Sequence, residues 1–261
     1  MAQQGNYEII FRQGGDGEKQ ANLFYALSSR GVEATRHCDL PCMRLLGLYD
    51  SVNYMVNMLN LTYFLYTNNA TYVQLTLEFL SSLEVSIAPN SNSVDGIIKF
   101  RMFNTEYAYT FHEIAQLLRF PHLTPTVVCE LPDNDQWLPN YISFWYTLTG
   151  KQTNSFEGNN ASLIQNPAIR YFCQLLSGTL FGRGNSSKVN SKELFYLYAI
   201  FNEIHINHVP FFFSHMRSIV VSKRGPIIFG GLISNIAEAI GLEHQFANLT
   251  PLPKRTIDMD I

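Results

Sequence analysis

The residues best equipped for chemistry lie late in the chain, in Glu203-Ile-His205-Ile-Asn-His208 with His215 beyond. A metal centre needs neutral imidazoles or carboxylates converging within about 2 Å of one ion. On a continuous helix His205 and His208 would share a face, but Pro210 argues that the helix has ended there, and no His-Glu-x-x-His zinc signature occurs. Ordinary helix-end histidines are the stronger reading, so no metal and no other cofactor is assigned. His37-Cys38 with Cys42 is weaker, because these residues have no second ligand pair elsewhere in the sequence. Phe181-Gly-Arg-Gly-Asn-Ser-Ser-Lys188 looks like a phosphate cradle only in its glycines: its lysine falls at the wrong offset and helical residues precede it. It reads as a Gly-rich turn between two helices, with Arg183 left to bind an anion or to cap carbonyls. There is no Gly-x-Ser-x-Gly elbow and no Gly-x-Gly-x-x-Gly after a strand, and Asp133-Asn-Asp135 and Asp258-Met-Asp260 sit in polar rather than apolar surroundings. The chain reads as a non-enzyme.

Binding chemistry remains. Tyr and Phe number 14 and 19, while charged residues are only 15% of the 261 and the net charge is −3. With so few charges to cover the surface, a monomer must expose apolar area, and large exposed patches mark interfaces. The expectation is therefore a homo-oligomer, most simply a two-fold dimer, with the aromatic helices supplying the contact. The candidate partner-binding residues are Phe211, Phe212, Phe213, Tyr196 and Tyr198. Three consecutive rings cannot share one helix face; the alternative is a terminal helix buried on all sides. A second reading is binding of nucleic acid through Arg183, Arg217, Lys223, Arg224, Lys254 and Arg255. Phosphate-driven binding needs several cations on one face, and solvated helix ends are the simpler account of these residues.

The elements that must position these residues follow from hydrophobic spacing. Val52, Met55, Val56 and Leu59 recur on one helix face, as do Tyr72, Leu75, Phe79 and Leu83. Ile98, Phe100 and Met102 then alternate with Lys99, Arg101 and Phe103, which predicts a β-hairpin near 97–109. Thr110-Phe-His-Glu113 is a capping box opening a short helix, and Asn190 with Glu193 opens another. Helices are also expected over 141–148, from Pro167 through Leu180, over 210–221 and over 226–242, with loops over 86–95 and 132–140. The fold class is mostly α, with a core including Val52, Val56, Leu75, Phe79, Phe100, Leu117, Phe172, Leu176, Leu197, Phe201 and Ile236. Residues 1–34 read as a flexible leader around Gly14-Gly15-Asp16-Gly17, 35–253 as one domain with a lobe boundary near 151–160, and 254–261 as a tail. No apolar run approaches the roughly 18 residues of a membrane span, and no basic segment followed by an apolar run opens the chain. The expected location is inside the cell, in cytoplasm or nucleus, with reduced thiols and no membrane partner.

Several strings are recognisable in order: Thr71-Tyr-Val-Gln-Leu-Thr-Leu-Glu-Phe-Leu-Ser-Ser-Leu83, Ile98-Lys-Phe-Arg-Met-Phe-Asn104 with Tyr107, Asn166-Pro-Ala-Ile-Arg-Tyr-Phe172, Thr179-Leu-Phe-Gly-Arg-Gly184, and Gly230-Gly-Leu-Ile233 with Ile236-Ala237. Across about 35–253 the chain resembles the first-open-reading-frame protein of plant Athila-type long-terminal-repeat retrotransposons, also described as a putative plant transposon protein domain. The resemblance implies a plant origin and a Gag-like or host-adopted, non-catalytic protein that associates with itself, with other proteins and with element RNA. It brings no catalytic residues. The small basic charge and the lack of a zinc knuckle depart from an RNA-packaging role.

Overall fold

The computed structural model describes residues 7–87, 95–120, 134–154, 159–184, 186–222 and 224–257, with side chains from 137 onward in the third stretch. The expected loop over 86–95 lies largely outside the described residues, as do Pro121, Pro125, Pro132, Lys223, Asp258 and Asp260.

The chain is mostly helical. In order it forms α1 (Gly14–Ser28), β1 (Arg36–His37), α2 (Leu40–Leu45), α3 (Tyr49–Met58), α4 (Thr62–Tyr66), α5 (Val73–Ser82), β2 (Glu84–Ile87), β3 (Gly96–Met102), β4 (Thr105–Thr110) and α6 (Phe111–Leu117). There follow α7 (Asn134–Thr149), β5 (Asn159–Asn160), α8 (Pro167–Leu175), β6 (Lys188–Val189), α9 (Ser191–Phe201), α10 (His208–Ser222), α11 (Gly230–Ala239) and β7 (Arg255–Thr256). Both capping boxes form. Thr110 Oγ1 accepts the Glu113 N–H while Glu113 accepts the Thr110 N–H, and Asn190 and Glu193 do the same at the start of α9. Asn166 accepts the N–H groups of Ala168 and Ile169, with Pro167 at the first helical position of α8, where its missing N–H costs nothing.

The predicted hairpin is β3–β4, with Ile98 opposite Tyr109 and Phe100 opposite Tyr107. Its two-residue loop places Phe103 at φ 52° and Asn104 at φ 62°, as a type I′ turn requires. A third strand, β2, adds antiparallel to β3 with Val85 opposite Ile98. The sequence reading takes Leu83 as the end of a helical stripe and misses this strand, because four residues are too few to show a period of two. One sheet face, Ile98, Phe100 and Met102, packs on α5, with the Phe79 and Phe100 rings 4.8 Å apart.

The N-terminal residues correct the expectation of a flexible leader. Gly14-Gly15-Asp16-Gly17 is the first turn of α1, and the segment before it is laced onto the hairpin. Tyr7 donates to Glu78 Oε2 at 2.5 Å, Arg12 pairs with Glu84 and Glu106 at 2.8 Å each, and buried Arg101 donates to the Ile10 carbonyl at 2.7 Å. This segment covers polar groups that the hairpin would otherwise leave unpaired. The expected tail is corrected likewise. β7 pairs in parallel with β1, Arg36 opposite Arg255, and Ile257 is buried with its N–H on the His37 carbonyl.

One buried cluster takes in side chains from Leu27 to Ile257, so the core is continuous across 151–160, where the sequence suggests a lobe boundary. The expected core residues lie in it except two: Leu117 is half-buried, and Phe201 is 57% exposed. None of the described helices is long and apolar enough to cross a membrane.

Candidate functional site

The aromatic candidates fall inside the molecule. Phe211, Phe212, Phe213 and Tyr196 are at most 5% exposed. Phe211 stacks on Phe195 at 5.9 Å, and Phe212 meets Phe64 edge-on at 5.0 Å. The three consecutive rings of α10 thus point to different walls of one core, and they are corrected from docking surface to packing. Tyr198 is half-buried between Trp137 and Phe144.

Four of the basic candidates are engaged by their own fold. Arg183 pairs with buried Glu193 at 2.6 Å and reaches the Lys188 carbonyl. Arg217 donates to the Val85 carbonyl, Lys254 to the Asn68 carbonyl, and Arg255 pairs with Glu33 at 2.7 Å. Arg224 is exposed and its carbonyl accepts from Arg30. Arg183, Arg217, Lys254 and Arg255 thus spend their cationic groups on contacts within the fold.

The histidines are likewise committed. His208 is the first residue of α10; its Nε2 donates to the Leu59 carbonyl at 2.7 Å and its Nδ1 accepts from the Tyr196 hydroxyl at 3.2 Å. His215 Nε2 donates to the Phe181 carbonyl and Nδ1 accepts from Lys192 at 2.7 Å. Burial pulls His208 down to about 4 and, with Lys192 adding to the effect, His215 to about 3, so both rings are neutral at physiological pH. Burial also pushes the carboxyls of Glu78 and Glu193 and the thiol of Cys173 upward. Among the described residues no three His, Cys, Asp or Glu are grouped to hold a metal ion.

What the molecule presents instead is a groove of about 560 Å³ between three helices. Along α3, Asp50, Ser51, Tyr54, Met55 and Met58 form one wall; Ala168 and Ile169 at the start of α8 and Ile200, Phe201 and Glu203 at the end of α9 complete it. The helix stripes explain this arrangement. Val52 and Val56 turn inward on α3, so Tyr54 and Met58 emerge 61% and 38% exposed. Helix α9 stops at Phe201 because Glu203 takes φ 54°, and the Ile204 N–H then returns to the Ala199 carbonyl at 2.9 Å. This is the reversal that glycine usually makes, and a non-glycine residue there costs about 1 kcal/mol. The result is an exposed ring beside an exposed carboxylate. Asp50 and Glu203 both carry their charge at the groove with no cation paired to either among the described residues.

Sequence reasoning placed Phe201 in the core because it continues the Leu194, Leu197 and Tyr198 stripe. Phe201 is the last residue of α9, and its stripe is already only half-buried at Tyr198, so the ring meets Phe144 and stays open to solvent.

A model of the ATHILA ORF-1 family matches residues 20–205, more than half of the chain. The chain belongs to the ATHILA ORF-1 family. It is thus a retroelement-derived protein, as the resemblance implied. The groove from Asp50 to Glu203 lies wholly within the span this family shares, whereas α10 and α11 lie beyond it. No curated protein and no solved structure matches the chain.

Proposed function

We propose that this ATHILA ORF-1 protein acts without catalysis, by binding protein, foremost other copies of itself, through the groove between α3, α8 and α9. The observation that carries the reading is the convergence there of three exposed apolar side chains, Tyr54, Met58 and Phe201, around one groove. Aromatic and methionine side chains are the types enriched at the centres of protein interfaces. His208, His215 and Cys173, whose proton affinity burial shifts, line the core rather than the groove, which leaves the groove with contact chemistry rather than proton transfer. The protein works inside the cell, in cytoplasm or nucleus, where the free thiols Cys38, Cys42 and Cys173 stay reduced.

Light scattering at micromolar concentration tests this. A dimer mass is expected for the natural chain, and a monomer mass for Phe201→Asp. A strictly monomeric natural chain would refute self-association. The same preparation titrated with single-stranded RNA across salt concentrations should show weak binding with a shallow salt slope; tight binding with a steep slope would instead favour a nucleic-acid role.

A further inference from the structure

One turn of the molecule is apolar, exposed and unexplained by its own fold. Leu45, the last residue of α2, is 86% exposed, more than any other large apolar side chain among the described residues, and Leu46 follows at 48%. Gly47 at φ 67° turns the chain directly into α3. Arg44 stands beside them, its guanidinium 4.7 Å from the centre of the Tyr49 ring, with no carboxylate paired to it among the described residues. The turn is therefore two bare leucines with a cation at their base. The groove that begins three residues after Gly47 is its complement: an apolar floor of Met55, Ala168 and Ile200, and two unpaired carboxylates, Asp50 and Glu203.

We propose that Arg44-Leu45-Leu46 of one copy seats in the α3–α8–α9 groove of a second copy, leucines on the apolar floor and Arg44 against Asp50 and Glu203. The proposal rests on the self-association reading above and names the contact that makes it. Three observations support this occupant. The charges are complementary, a lone cation against two lone acids. Among the described residues, neither leucine belongs to the buried cluster or to the partly buried side chains packed against it. Knob and groove are contiguous through Gly47 into α3, so a single two-fold contact fills both grooves at once, the isologous arrangement in which the same patch serves on both copies. A knob reaching a groove on a remote face would build an open chain of copies instead.

The test is a charge exchange in the full chain, read by sedimentation equilibrium. Arg44→Glu alone and Asp50→Arg with Glu203→Arg alone should each weaken the dimer at least about tenfold, which corresponds to about 1.4 kcal/mol. Mixing the two variants should restore the dimer, because each groove then meets a knob of opposite charge. Leu45→Asp should weaken it without rescue. A natural chain that dimerises while Leu45→Asp and both charge variants dimerise equally well overturns this contact but leaves self-association standing. A natural chain that is monomeric overturns both. For the case in which a charge variant fails to fold, a photo-crosslinking amino acid in place of Leu45 keeps the knob apolar. Intermolecular crosslinks to Tyr54, Met58 or Phe201 are expected, and crosslinks confined to other surfaces would overturn the proposal.

Discussion

His208 shows how one side chain ties fold to pH. Its two nitrogens bridge the Leu59 carbonyl and the Tyr196 hydroxyl in a site without water access, so the ring stays neutral down to about pH 4, against an ordinary value near 6.5. The unfolded chain binds a proton there below about 6.5 and the folded chain does not, so the stabilisation is complete above that pH and is lost as pH falls toward 4. Glu78 and Glu193, held above the ordinary carboxyl range by burial, act with the opposite sign just above that range, where the unfolded chain has already released protons. Substituting one histidine isolates its share. For His208→Gln, whose amide can still donate to Leu59 and accept from Tyr196, urea unfolding at pH 7 and pH 5 should show a loss of stability smaller than that of the natural chain by about 2 kcal/mol. An unchanged pH dependence would show that His208 is not held neutral. The histidines were visible in the sequence as candidate ligands. The true partners of His208 are a carbonyl and a hydroxyl, and the Leu59 carbonyl lies far from it along the chain, which no spacing rule reveals.

Helix α11 lies close against α5 and the residues that lead into it. A Cβ placed on Gly230 would lie 2.2 Å from Thr71 Cγ2 and 2.7 Å from Thr76 Oγ1. Thr71 and Thr76 are β-branched and buried, and Thr76 is further fixed by its bond to the Tyr72 carbonyl, so neither can swing clear. Gly230→Ala should therefore cost about 1–3 kcal/mol by overpacking, measured as a lower urea midpoint with an unchanged slope. The elements themselves were legible wherever the sequence runs long enough to display a period. The stripe through Val52, Val56 and Leu59 reports α3 directly, and the alternation of Ile98, Phe100 and Met102 reports β3. The glycines that open α1 hid it, because its helix is held by contacts of Gln20 and Leu27 with the core rather than by local propensity. The groove was not legible at all: its walls come from segments more than a hundred residues apart, and each wall alone looks like an ordinary amphipathic helix.

At the scale of the whole molecule, the last described residues belong to the core rather than trailing from it. Ile257 is 4% exposed and lies against Gly178, with its N–H on His37. Ile257→Ala should cost about 2 kcal/mol or more in urea unfolding, whereas a true tail would tolerate the change without loss. The β1–β7 pair also has a consequence in time. A ribosome adds roughly 5–20 residues each second, so Arg36 and His37 are made roughly 10 to 45 s before Arg255 and Thr256, their strand partners, exist. During that interval β1 is a strand edge without a neighbour, open to chaperones and to adjacent nascent chains. Slow codons between His37 and Arg255 lengthen the exposure, and the arrival of Arg255 and Thr256 is the latch that ends it.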